Sequence, residues 1–175
     1  MLVLGFTQIS FTVLGILAYQ SFFGYLYGRI ALLTGSFMAG LAAGGWLGMR
    51  AVARKKTDML LLALVQAGIA LAALLWMLLL SAGCHRAAEP GYFLLAAFSG
   101  FLGGLQFTVA DAHYRSEHPD VSSGGAVYGF DLAGSSLGAI LTGALVIPTL
   151  GMYPALAFLA GLNVIAAAGA AWRAG

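Results

Sequence analysis

Residues 2–23 contain no charged side chain at all, and five more segments of similar kind follow, each holding at most one charge. They can be drawn at 27–49, 58–82, 91–112, 124–147 and 152–172. A bilayer hydrocarbon core of about 30 Å is crossed by roughly 20 apolar residues in a helix. Inside lipid the backbone must satisfy its own hydrogen bonds, so continuous apolar runs of this length have to be helical. Membrane strands would need ten-residue alternating patterns, which are absent. The fold class expected is therefore an all-α, polytopic membrane bundle of six transmembrane helices forming a single transmembrane domain over 1–175, with no soluble domain.

Composition enters where the alternatives have to be excluded. Only 8% of residues are charged, against about 25% in an average soluble domain. Eight Lys and Arg spread over 175 residues cannot form a phosphate-tracking stripe, so nucleic acid is not an expected partner. The lipid bilayer is. Cys84 is the only cysteine, which removes an intramolecular disulfide or a cysteine-based metal cluster. His85, His113 and His118 show no H-x-x-x-H or H-E-x-x-H spacing, and no metal or other cofactor is expected. The chain also lacks a nucleophile elbow, a phosphate loop and a dinucleotide fingerprint, so catalysis within one chain is not expected.

Loop charge gives an orientation. With both termini cytoplasmic, the inner side receives Arg50, Arg54, Lys55, Lys56, Arg115 and Arg173, and the outer side only Arg29 and Arg86. This satisfies the positive-inside tendency and predicts a cell (inner) membrane protein with both ends inside. Tyr19, Tyr25, Tyr27 and Tyr92 fall near the outer boundary, where amphipathic rings settle at headgroup level.

Helices in lipid associate through small residues that let backbones approach. Ser36, Gly40, Gly44 and Gly48 form a packing ridge on the second segment. Gly100 and Gly104 repeat the device on the fourth. The fifth carries two ridges, Gly125, Gly129 and Ala133, and Gly134, Gly138 and Thr142. These ridges fit passive close packing and also helices that rock past one another. The third segment, with one amide at Gln66, reads as an outer helix.

Polar groups at membrane depth are costly and become candidate functional residues. Asp131, Gln8, Thr12 and Gln106 form the candidate intramembrane polar site, with Asn163 of similar character. Arg50, Asp111, Arg115 and Asp131 reach one membrane level and are expected as a cytoplasmic charge cluster, because a buried charge left alone is strongly disfavoured. Latching of helix ends and a gating or proton-handling role for Asp131 both fit that placement.

Three stretches together carry a family resemblance. Gly5 to Gly44 opens G-F-T-Q-I-S-F-T-V-L-G and closes S-F-M-A-G-L-A-A-G, Gly103 to Ala110 reads G-G-L-Q-F-T-V-A, and Val127 to Gly151 begins V-Y-G-F-D-L-A-G-S-S-L-G-A. They resemble the transmembrane module of membrane-attached spermidine synthase-like (aminopropyltransferase-related) proteins. That module carries F-M-x-G-L-x-x-G and Y-x-x-D-L-x-G-x-x-x-G-A patterns, and Tyr128, Asp131, Leu132, Gly134, Gly138 and Ala139 match the second. The module is itself similar to half of a major facilitator transporter, which implies a half-major-facilitator-like bundle. The family normally adds a soluble aminopropyltransferase-like domain, and this chain has none. It also has Thr12 where the family often places an acid. The resemblance implies a non-enzymatic membrane subunit that anchors or scaffolds another membrane or soluble subunit, or self-assembles as a homo-oligomer. Two alternatives stand beside it: a half-size transporter acting as a homodimer around a midplane polar cavity, and a subunit completing an aminopropyltransferase-like enzyme.

Overall fold

The computed structural model describes residues 1–24, 27–54, 59–81, 89–117 and 123–174. Tyr25, Lys55, Lys56, Cys84, His85, Arg86 and His118, assigned above to turns and loops, lie outside the described residues. The elements are α1 (Leu2–Phe23), α2 (Tyr27–Ala53), α3 (Met59–Ser81), α4 (Glu89–Glu117), α5 (Ser123–Gly138), a π-helical stretch (Ala139–Val146), α6 (Ile147–Leu150) and α7 (Met152–Ala174). With α5, the π stretch and α6 counted as one span, six helices are long and apolar enough to cross a membrane. The polytopic all-α reading therefore holds.

Two spans outrun their apolar segments. α2 continues to Ala53 rather than 49, and α4 to Glu117 rather than 112. Twenty-nine residues of α4 would reach about 44 Å, well beyond a 30 Å core. Hydropathy marks where lipid ends, whereas the backbone ladder ends where capping stops it. Arg115 is held one turn back on Asp111, and Arg50 lies over Trp46, so both helix ends carry polar side chains compatible with continued helix. By contrast, α1 and α6 stop at Gly24 (φ 81°) and Gly151 (φ 91°), conformations that favour glycine. Their N–H groups close the preceding turns on Gln20 and Ile147 carbonyls.

The π stretch has a local cause. Pro148 offers no N–H, and its ring crowds the carbonyl four residues back. The ladder widens just before it, with the Ile147 N–H donating to the Thr142 carbonyl five residues earlier.

Three helix pairs make the bundle: α2 with α4, α3 with α7, and α1 with α5. α2 and α4 run parallel as interlocking backbones. A Cβ on Gly40 or Gly44 would overlap the carbonyls of Ala97 or Phe101, and one on Gly100 or Gly104 would overlap those of Phe37 or Leu41. Gly134 and Gly138 sit likewise on the Leu2 and Phe6 carbonyls of α1, and Gly5 on that of Asp131. α3 turns Leu60, Leu64, Leu71, Leu74 and Leu78 outward. Its other face buries Gln66, Ile69, Ala73 and Trp76. Helix α1 lies innermost, with Phe11, Leu14, Ala18 and Tyr19 all in the core.

Candidate functional site

α1 begins and α7 finishes at the same end of this six-span bundle, called here the terminal end. In that half the α2–α4 and α1–α5 pairs enclose a cavity of about 470 Å³. Its polar lining comes from Gln8 and Thr12 of α1, Thr108 of α4, and Tyr128, Asp131 and Ser135 of α5; the rest of the wall is apolar or glycine. The spacing explains the convergence. Residues four apart share a helix face, as do those three and seven apart. Thus Gln8 aligns with Thr12, and Tyr128 aligns with Asp131 and Ser135. The Gly5 contact on the Asp131 backbone then sets the two polar faces beside each other.

Gln8 is 9% exposed, and neither its amide oxygen nor its nitrogen has a hydrogen-bond partner. The amide lies against Gly103, where a Cβ would collide with it. Thr12 Oγ1 donates to the Gln8 carbonyl at 3.1 Å, and Thr108 Oγ1 to the Gly104 carbonyl at 2.9 Å. Asp131 is half-buried, and no described side chain bonds to its carboxylate. The positive group whose field reaches it is the Met1 amine, whose pKa burial lowers while Asp131 pulls it back up.

No protein-family model, curated protein or solved structure matches the chain. The site therefore has to be read from its own chemistry.

The structure brings Gln8, Thr12 and Asp131 to the cavity but sends Gln106 elsewhere. Gln106 Nε2 donates to Gln66 Oε1. Gln66 Nε2 donates to Asn163 Oδ1 at 2.6 Å, and Asn163 Nδ2 donates to Thr7 Oγ1 at 3.0 Å and to the Leu159 carbonyl at 2.7 Å. Thr7 passes its own hydrogen to the Val3 carbonyl at 2.8 Å. This chain of groups ties α4, α3, α7 and α1 together inside the apolar bundle. Nothing in a single-sequence pattern tells that Gln66 and Asn163 meet, because their separation is tertiary.

The charged residues also separate. Arg115 Nη2 pairs with Asp111 Oδ2 at 2.7 Å within α4. The Arg50 guanidinium stacks 3.6 Å from the Trp46 ring centre, a cation–π arrangement. Asp131 joins neither and faces the cavity. On the ridges, Gly40, Gly44 and Gly48 all meet α4, while Ser36 bonds back to the Leu32 carbonyl at 2.8 Å. Gly134, Gly138 and Thr142 meet α1, with Thr142 and Ser10 hydroxyls 2.7 Å apart. Gly125 and Gly129 face open space.

The opposite end carries a cluster that sequence reasoning missed. Tyr19 and Tyr92 are wholly buried among neighbouring helices, whereas Tyr27 is exposed. Tyr19 donates to Glu89 Oε1 at 2.7 Å, and Arg29 Nη1 sits 3.3 Å from that same oxygen. Tyr92 lies edge-on to Tyr19, Phe23 and Trp76, with ring centres 5.6–5.9 Å apart. Trp76 Nε1 donates to Ser99 Oγ at 3.2 Å. One signal was available: Pro90 after an acid fits a first helical turn as well as a loop.

Chemically the cavity is equipped to bind. Among the described residues no group of three His, Cys, Asp or Glu side chains could hold a metal ion.

Proposed function

We propose that this chain is one half of a membrane transporter-like body: a six-helix protomer that pairs with a second copy so that the two cavities face each other and a small solute is passed between them. The carrying observation is the cavity itself. Its walls gather intramembrane polar groups from α1, α4 and α5, and Met38, Leu41 and Tyr128 at its margin are exposed. A lipid-facing rim around a partly polar hollow is unfavourable for a lone protomer, and a second protomer covers it. The resemblance to the helical module of spermidine synthase-like proteins, and through it to half of a major facilitator transporter, supports the same reading. The site would then lie between parallel repeats, as in transporters built from two such halves. The cavity opens toward the cytoplasm if Arg50, Arg54 and Arg115 lie inside a cell inner membrane.

Disulfide trapping tests this. In a Cys84→Ser background, Met38→Cys is expected to cross-link two copies in membranes, while Leu71→Cys on the outward face of α3 is not. A monomer by light scattering in nanodiscs, or cross-linking through Leu71 alone, would overturn the paired-cavity arrangement.

A second reading, an anchoring subunit for another membrane protein, is favoured by Gly125 and Gly129, the ridge left without a neighbour. Under that reading Gly129→Leu abolishes co-purification of a partner and leaves Met38 cross-linking absent.

A further inference from the structure

We propose that the terminal-end cavity binds a small organic ammonium ion, with the Asp131 carboxylate as its counter-charge and the Gln8 amide as its hydrogen-bonding partner. This deepens the transporter reading but depends only on the cavity being a ligand site.

Four features converge on that chemistry. Among the described residues Asp131 is the only charged side chain in the lining, no described side chain pairs with it, and the positive group whose field reaches it is the Met1 amine. A lone carboxylate at membrane depth is costly, and an entering cation removes that cost. Gln8 is the second feature. An amide nine-tenths buried with neither end bonded is a rare arrangement in folded proteins. Both amide atoms are shielded where they lie against Gly103. Turning the side chain toward the cavity that Gln8 lines would give them a ligand and remove the cost of a buried polar group without a partner.

The hydroxyls supply the third. Thr12 and Thr108 each donate their hydrogen to a carbonyl of their own helix. What they turn toward other groups is therefore lone pairs. The Asp131 carboxylate and these two hydroxyl oxygens offer acceptors complementary to N–H donors. Finally, the size is right. A cavity of about 470 Å³ lies within the range of roughly 300–1,000 Å³ common for small-molecule sites, and the apolar remainder of its wall suits a hydrocarbon body. Gly5 touches the Asp131 backbone, and Gln8 stands three residues further along α1.

The test uses the full chain in nanodiscs, with thermal unfolding followed by tryptophan fluorescence and binding by calorimetry. Phenethylammonium is the probe. Phenethyl alcohol lacks its charge, 3-phenylpropionate reverses it, and trimethyl(phenethyl)ammonium keeps the charge but has no N–H. Sodium chloride at matched ionic strength controls for simple cations. Saturable binding of phenethylammonium with a rise in midpoint of about 2 °C or more is expected, with the alcohol and propionate inactive and the quaternary ion weaker by about tenfold. Asp131→Asn should abolish binding, and Gln8→Leu should weaken it by about tenfold while unfolding no earlier than the parent.

Absence of saturable binding, equal binding of the propionate or of sodium, or full binding by Asp131→Asn would overturn the proposal. Should Asp131→Asn fail to fold, Gln8→Leu and Ser135→Ala carry the same comparison. Binding that survives in a strictly monomeric protein sinks the paired transporter and leaves this site standing. A cross-linked dimer that ignores the amine does the reverse.

Discussion

At the end away from the termini, α1, α2 and α4 converge on one carboxylate: Tyr19 and Arg29 both reach Glu89, and the Tyr92 ring packs against Tyr19, Trp76 and Phe23. At the terminal end the closely packed α2–α4 and α1–α5 pairs enclose a hollow in which a carboxylate and an amide have no side-chain partner. The chain thus gathers bonded groups around one carboxylate at one end and leaves a carboxylate and an amide without a side-chain partner at the other. Where polar groups are bonded and rings interlock, the arrangement serves the fold. Where local rules of satisfaction are broken without local gain, function is the expected reason.

The comparison can be broken first at its foundation. If the terminal end were loosely packed throughout, a larger residue in the α2–α4 seam would be absorbed. Gly44→Leu instead drives a side chain into the Phe101 carbonyl, an obstacle that cannot rotate away. Destabilisation of more than about 3 kcal/mol is expected, visible as loss of monodisperse protein on gel filtration. Asn163→Leu comes next. It strips Gln66 and Thr7 of their shared partner and should cost about 1–3 kcal/mol in denaturant unfolding, showing that the terminal half holds satisfied polar groups next to unsatisfied ones.

Gln8→Leu sharpens the contrast by its sign. Because nothing bonds to the amide, the apolar replacement should leave stability unchanged or raise it by up to about 1 kcal/mol; a fall of that size would mean that Gln8 is structural. The smallest effect belongs to the sealed end. Arg29 is 49% exposed, so its attraction to Glu89 is screened by water. A double-mutant cycle between Arg29→Ala and Glu89→Gln should yield a coupling below about 1 kcal/mol, and a larger value would make the ion pair, rather than the aromatic packing, the seal.

The spans were legible because charge is so scarce that a single Arg or Asp marks a boundary to within a few residues. The α2 and α4 ridges were legible too, since Gly40, Gly44 and Gly48, and Gly100 and Gly104, repeat at the helical period and glycine in lipid has few other uses. Half of the polar site followed from the same logic, with Gln8, Thr12 and Asp131 found as polar exceptions. What stayed hidden was pairing. Hydropathy measures transfer from water to lipid and is blind to which helix lies alongside. It therefore gave no sign that Tyr19 and Tyr92 pack ring against ring or that Tyr19 bonds to Glu89. It likewise grouped Arg50, Asp111, Arg115 and Asp131 by depth; Asp111 and Arg115, one turn apart on α4, do pair, whereas Arg50 lies over Trp46 of its own helix and Asp131 faces the cavity. The widened turn before Pro148 escaped notice because proline at a span's end reads as punctuation rather than as a strain reaching back along the helix.

An even number of crossings returns the end of α7 to the side where α1 begins. Two copies can therefore be spliced head to tail by a linker that never enters the bilayer. The product would be a twelve-helix polypeptide with both halves in the same orientation, so a tandem fusion of the coding sequence keeps each half's topology intact. Such a concatemer also makes the halves individually editable: one can carry Asp131→Asn while the other remains unaltered, and the stoichiometry of the site becomes a countable quantity.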